Sequence, residues 1–377
     1  MTKYKTLKDI DFKDKKVVLR VDYNVPLHEG KVMDDYRIKA SLPTIKKLLG
    51  LGVGQINIFS HLGRPKGEVN ESLSLKPIAT ILGEFFDDVV FVKHLNPVRG
   101  KVVLRENVRF HEGEKKNSVS LAKSFASLGD VFVNDAFGVS HRKHSSVHAT
   151  STLLPGCVGL LIEKELRVFD EVLKNPSKPF ISILGGSKLQ TKIPLIKNLQ
   201  DETEAVLLGG AMIFTLYKSM GLNVGKSLVD EDSLTIAKTF ADKDDVFLPV
   251  DVNVARSLES KSFETKRVDA LGDEDIGLDL GPETVRNYKE ILKGANLVVW
   301  NGPLGYYENE VFAEATYDLM RFLSESDVKT VIGGGDTAAV VNKLNLRNSF
   351  YHVSTGGGAS MTLLRGEELV ALENLKK

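Results

Sequence analysis

Residues 180–199 read FISILGGSKLQTKIPLIKNL. An apolar, β-branched run ends at Gly185-Gly186, and an amphipathic segment follows at 193–199. Runs that are apolar almost without interruption mark strands buried on both faces, the habit of parallel sheets; a glycine turn and a helix complete one strand–helix unit.

The same unit recurs on either side. Upstream runs lie at 16–21, 55–59, 89–92, 102–105 and 131–133, and downstream runs at 205–208, 246–250, 297–300, 330–332 and 351–353. Amphipathic stretches at 36–49, 75–86 and 311–323 fall between them. This alternation predicts an α/β protein of two doubly wound parallel-sheet domains. The expected boundaries are 1–155, a connecting helix at 156–174, and 175–363. The helix ends at KNPSKP, where two prolines stop it and admit a new strand.

At roughly 150 residues per domain, 377 residues also favour two domains. Apolar residues make up 42% and charged residues 27%, which excludes disorder, collagen and coiled coil. The balance of 50 basic and 50 acidic side chains is uneven along the chain: residues 1–150 carry 25 against 17, the remainder 25 against 33. Different ligands for the two halves follow from that asymmetry. A lone cysteine, Cys157, rules out an intramolecular disulfide and a cysteine zinc site, and the charged start is unlike a signal peptide. The expectation is a cytoplasmic protein without a membrane span.

In parallel sheets, ligands gather at the carboxyl ends of the strands. Upstream, those ends supply Asp22 and Asn24 (VDYNVP), His61 and Arg64 (SHLGRP), Arg109 (ENVRFH), and His141 and Arg142 (NDAFGVSHRKHSS); Arg37 opens the helix after DDY. Arginines gathered with hydrogen-bonding side chains suit a small, multiply charged anion, because guanidinium grips carboxylate and phosphate through paired hydrogen bonds. Basic residues interleaved with aromatics are missing, so nucleic acid is not an expected partner.

Downstream, the strand ends are nearly bare backbone: ILGGSK, LLGGAM, WNGPLGYYE, VIGGGDT and VSTGGGAS. Of 32 glycines, 21 follow residue 150. Several glycine loops at successive strand ends, each leading to a helix, suggest a nucleotide phosphate chain. Lys188 and Lys192 stand four apart, which predicts one helical face beginning after the glycines and an anion between two ammonium groups. Asp336 follows three glycines; a cation would reconcile it with a phosphate, and an ordinary helix cap would also explain it. Two decoys are set aside. MGLNVGKS (220–227) has Met220 where a phosphate loop needs glycine, and His141, His144 and His148 lack a completing metal ligand.

RVDYNVP, SHLGRP, ENVRF, NDAFGVSHRKHSS, GGSKLQTKI, GGAM, WNGPLGYYE, GGGDT and VSTGGGAS occur in the order seen in phosphoglycerate kinases, and the chain resembles that family from Lys16 to about Leu364. The resemblance implies two Rossmann-like domains joined by a hinge helix, with an interdomain cleft and residues 364–377 returning to the first domain. It implies Mg²⁺-dependent phosphoryl transfer between 1,3-bisphosphoglycerate and ADP, giving 3-phosphoglycerate and ATP; a monomer is the default expectation. Asp22, Asn24, Arg37, His61, Arg64, Arg109 and Arg142 would hold phosphoglycerate. Gly185, Lys188, Lys192, Gly209, Gly277, Asn301, Pro303, Glu308, Gly333, Gly334, Gly335, Asp336 and Thr337 would hold the nucleotide, with Glu308 on the ribose and Asp336 on the metal. GGSK and GGAM stand where GGAK and GGGM are usual, and HSSVHA replaces an ending in glycine.

The chemistry agrees with the absence of a nucleophile–base constellation. A substrate carboxylate is already ionised at neutral pH and needs no general base, so positioning and charge stabilisation suffice. Arg37, Lys192 and the amides around Gly334 and Gly357 are the expected stabilisers, brought together by hinge closure that excludes water. The alternatives are a dinucleotide-dependent dehydrogenase and a non-catalytic nucleotide sensor. The first lacks a G-x-G-x-x-G turn after a strand, since LGLGVG at 49–54 precedes one. The second has no use for a complete transfer site.

Overall fold

The structure is a computed structural model describing residues 3–200, 202–241 and 243–377. The chain divides into two compact units: one runs to Val168 and takes in Glu368–Lys377, the other is Phe169–Glu367. The first boundary falls inside the helix Leu160–Lys174, and the second three residues beyond the helix Gly357–Leu364.

The first unit is built on a six-stranded sheet. Its spatial order is Val89–Val92, Val102–Arg105, Gln55–Phe59, Lys16–Arg20, Val131–Asn134, Gly156–Val158, with every neighbour parallel. Val17, Leu19, Ile56, Ile58, Val102, Leu104, Val131 and Val133 pack with Ile38, Ile45 and Leu48 of the helix Tyr36–Gly50. Burial on both faces is why these strands read as nearly continuous apolar runs, interrupted by the buried polar residues Arg20, Asn57, Arg105 and Asn134. The C-terminal segment joins this unit by main-chain hydrogen bonds: Lys5 N–H to Leu375 O at 2.8 Å and Ala371 N–H to Ser140 O at 3.0 Å.

The second unit has its own six-stranded parallel sheet, ordered Val246–Phe247, Ala205–Leu208, Phe180–Leu184, Leu297–Asn301, Lys329–Gly333, His352–Val353. A three-stranded antiparallel sheet, Glu264–Arg267, Asp251–Ala255, Ile276–Leu280, is an addition that the apolar-run pattern does not disclose. Its edge strand ETKR is largely exposed and has no apolar signature. The run expected at 246–250 is correspondingly a two-residue strand, with the chain turning into the antiparallel sheet at Asp251. Among the described residues no helix is long and apolar enough to cross a membrane.

Asp135, fully buried where Val131–Asn134 ends, fixes the start of the helix Leu160–Lys174. Its Oδ1 accepts the main-chain N–H of Leu161 at 2.9 Å and of Ile162 at 3.2 Å. A Cβ on Gly159 would come within 2.3 Å of that oxygen, so the junction tolerates only glycine. Burial pushes the carboxyl up to about 7, against the hydrogen bonds that lower it. Between about pH 4 and 7 the folded chain therefore binds more protons at this site than the unfolded chain, so stability falls as pH rises. The expected cost above pH 7 is on the order of 4 kcal/mol. Asp135→Asn removes that dependence: in denaturant titrations from pH 4 to 8, the stability of the variant relative to the parent should climb with pH. A pH-independent difference would refute the assignment.

Candidate active sites on the two units

In the first unit the carboxyl end of Lys16–Arg20 and the start of the helix Tyr36–Gly50 converge. Ser60 ties neighbouring loops together, its hydroxyl donating to Val21 O at 2.8 Å and accepting Tyr23 N–H at 2.7 Å. Asp22, 6% exposed, accepts from Arg37 Nη1 at 2.8 Å, and His61 Nδ1 stands 3.8 Å from its other oxygen. Asn24 Oδ1 accepts Gly63 N–H at 2.8 Å, and Arg109 Nη1 donates to Gly63 O at 2.7 Å. Arg142 Nε donates to His141 Nε2 at 3.0 Å, while Arg64 stands exposed on the loop that carries His61.

Beneath these lies a buried layer that the sequence reading passed over. Arg20, 1% exposed, donates through Nε to Ser146 Oγ at 2.8 Å and through Nη1 to Val21 O, and its Nη2 lies 3.2 Å from His61 Nδ1. Glu114, also buried, accepts from Ser146 N–H at 2.9 Å and from Ser146 Oγ at 2.6 Å. The signal was present as Arg20, a charge within the otherwise apolar stretch VVLRV at 17–21.

Electrostatics agree with an anion site. Burial lowers Arg109 to about 10, helped by the cations of Arg20 and Arg142. Burial also pushes His61 well below its usual range, where the charge of Asp22 does not restore it. Asp22 itself is held low: burial opposes its charge, and Arg37 leads the surrounding groups that together outweigh it. Among the described residues, Asp22 and Glu114 are the acids set against Arg20, Arg37 and Arg109, with Arg142 beside them, leaving a cationic surplus that a small anion would neutralise.

In the second unit a cavity of about 220 Å³ opens at the carboxyl ends of three adjacent strands, Phe180–Leu184, Leu297–Asn301 and Lys329–Gly333. It is lined by nine of the expected nucleotide residues: Gly185, Lys188, Lys192, Asn301, Pro303, Gly334, Gly335, Asp336 and Thr337. Gly302 belongs there for close approach, because a Cβ would meet Gly185 O at 2.2 Å. Gly334, at φ +97°, turns the third strand into the helix Gly335–Lys343, and Gly357 packs on Gly335 at the start of Gly357–Leu364. Two helix N-termini thus meet at one rim, where backbone N–H groups favour phosphate.

The lysines depart from expectation. The helix begins only at Ile193, because Pro194 lacks an N–H and is tolerated just inside a helix start. Lys188 is exposed and extended ahead of the turn Leu189–Thr191, and Lys192 closes that turn, so they do not share a helical face. Lys192, 8% exposed, donates to Asn301 Oδ1, leaving the buried Asn301 Nδ2 without a partner among the described residues. Burial lowers Lys192 to about 8, only partly offset by Asp336. Asp336 is not the cap of its helix; that position belongs to Gly334, and the exposed carboxylate sits in the first turn.

Four expected nucleotide residues lie outside the cavity lining. Gly333 ends its strand beside Asn301. Gly209 packs on Leu304, and Gly277 lies in the strand Ile276–Leu280 against the ring of Phe214. Glu308 is exposed on the loop after Pro303 and acts, with Asp336, on the phenol of Tyr307, which burial first and these acids second push up to about 12. Of the unusual residues, Ser187 lines the cavity and half-buried Ala211 precedes the helix Met212–Ser219. His148 of HSSVHA bonds Glu373 Oε1 at 2.7 Å in the C-terminal segment. Met220 caps the end of a helix, which leaves the phosphate-loop decoy as a helix-to-loop turn.

The model of the family described as phosphoglycerate kinase matches residues 7–367. A phosphoglycerate kinase of Thermosipho africanus is 42% identical over 392 residues, covering 98% of this chain and 97% of the relative. One of Chlorobium phaeobacteroides is 44% identical, with 98% and 99% covered. Among solved structures, phosphoglycerate kinase from Coxiella burnetii aligns with a TM-score of 0.87 at 36% identity, covering 99% of this chain and 98% of that one. The enzyme from Pyrococcus horikoshii aligns at 0.83 and 30% identity, with 98% of each chain covered. Neither a dehydrogenase nor a sensor is consistent with likeness that extends over nearly the full length of such relatives, and the strand-end loops described above lie within it: the chain belongs to the phosphoglycerate kinase family.

Proposed function

We propose that the first unit binds 3-phosphoglycerate or 1,3-bisphosphoglycerate through Asp22, Asn24, Arg37, His61, Arg64, Arg109 and Arg142. The second binds ADP or ATP through the cavity around Lys192 and Asn301. The observation that carries this reading is the floor of that cavity: a buried ammonium beside an amide donor unpartnered among the described residues, at the N-terminus of the helix Gly335–Lys343, is a receptacle for phosphate oxygens. Glu308 would accept the ribose hydroxyls.

The donor set fits Mg²⁺ arriving with the nucleotide. Among the described residues lining the cavity Asp336 is the one acid, and magnesium is commonly held by one or two carboxylates with phosphates and water completing the shell. Asp336 would hold the ion, which neutralises phosphate charge when bound. Lys192, the Gly334 and Gly335 amides and Arg37 would take up the charge that spreads over the moving phosphoryl group. No residue need remove a proton, because the acceptor carboxylate is ionised. Donor and acceptor oxygens must approach within about 3–3.5 Å, so transfer requires the loaded units to be brought together. The proposal is for a cytoplasmic monomer without a nucleic-acid partner.

The test is a coupled assay of purified protein with 3-phosphoglycerate and ATP. Phosphorylation that is abolished by EDTA and restored by Mg²⁺ is expected; none under any metal condition would refute the assignment.

A further inference from the structure

The buried contact between Arg20 and His61 has a chemical consequence. Arginine can only donate, so His61 Nδ1, 3.2 Å from Arg20 Nη2, must accept and carry no proton. The rival is Asp22, which would ask for a proton on the same nitrogen. At 3.8 Å its Oδ1 is beyond hydrogen-bond reach and already accepts Asn24 N–H at 3.1 Å, while Arg37 holds Oδ2. The imidazole proton then sits on Nε2, which no described residue hydrogen-bonds. The same logic acts in reverse at His141: Arg142 Nε donates to its Nε2, so the proton rests on Nδ1, buried and without a partner among the described residues.

We infer that Arg20 is a positioning residue for the phosphoglycerate site, fixing neutral His61 in the Nε2–H tautomer so that it presents one aimed donor to the substrate anion. This rests on the proposed substrate. Arg20 is held for the task from behind: Ser146 Oγ takes its Nε and Val21 O its Nη1, while Glu114 anchors Ser146 and supplies a counter-charge. A neutral donor suits the place, since a further cation beside Arg20, Arg37 and Arg109 would add to their repulsion. Depression of His61 by burial accords with the neutral ring.

The test uses ¹⁵N-histidine-labelled whole protein without ligand at pH 7. His61 should show a protonated Nε2 and an unprotonated Nδ1, and His141 the opposite pattern. An imidazolium or an Nδ1–H tautomer at His61 would overturn the inference.

Arg20→Met alone would strand the buried Glu114, so the second arm pairs it with Glu114→Gln. Loss of a charge-assisted hydrogen bond predicts mixed tautomers at His61 and a KM for 3-phosphoglycerate raised about ten- to a hundredfold. Turnover at saturation should stay within about threefold, the pattern of lost substrate binding. Unchanged KM with the tautomer still fixed would refute the role. Protein with the predicted tautomer but no phosphorylation of 3-phosphoglycerate would refute the kinase reading and leave the tautomer assignment standing.

Discussion

Arg37→Ala is expected to lower kcat for 3-phosphoglycerate phosphorylation by about 10²–10³-fold, the rate equivalent of roughly 3–4 kcal/mol of lost charge stabilisation. One guanidinium nitrogen is pinned to Asp22 Oδ2 at 2.8 Å, which aims the group, while the side chain keeps 29% of its surface exposed and has further N–H groups to offer. That is the build of a residue that acts on a ligand: oriented from behind and open in front. The substitution also deprives buried Asp22 of its strongest partner, so its carboxyl should titrate higher than in the parent. Arg37→Lys should recover little, because an ammonium cannot hold Asp22 and bind a phosphoryl oxygen with the same fixed fork. Single-turnover measurements with both substrates saturating separate this from weakened binding. Near-parental turnover in Arg37→Ala would remove the residue from the transfer step.

The parts of this molecule legible in the sequence were those where one residue type has one physical use. Strands such as LVVWN are buried on both faces and so read as apolar runs, and the loops after them offered the candidate site residues by position alone. What stayed hidden depended on partners distant in sequence. Glu114 and Ser146 meet Arg20 across more than 90 positions, and no local pattern announces a buried ion held that way. The exposed edge strand Glu264–Arg267 carries no apolar periodicity because it buries nothing. Spacing misplaced Lys188 and Lys192 because a period of four presumes a helix, whereas Pro194 delays its start. Gly277 was expected at the nucleotide only from the family resemblance, outside every quoted motif, and its surroundings are the ring of Phe214 and the hydroxyl of Ser227, which the antiparallel sheet brings near.

Lys192→Ala is expected to reduce kcat by a similar factor of about 10²–10³, for a reason written into the cavity floor. An ammonium with 8% exposure has little water to share its charge, so its attraction for developing negative charge is screened less than that of exposed Lys188. The same burial lowers its proton affinity to about 8, with Asp336 opposing the shift and Arg365 adding to it. A lysine of lowered affinity is charged below that pH and neutral above it. Hence kcat/KM for the nucleotide, which reports the free enzyme, should fall on the alkaline side with a midpoint near 8. The corresponding midpoint in kcat should lie higher, because bound phosphate favours the charged form. Lys192→Arg supplies a cation that does not titrate in this range. It should retain part of the activity and lose the alkaline limb, whereas Lys192→Ala should lack both. An alkaline limb that survives in Lys192→Arg would assign the titration to another group, and with it the charge that meets the phosphoryl oxygens.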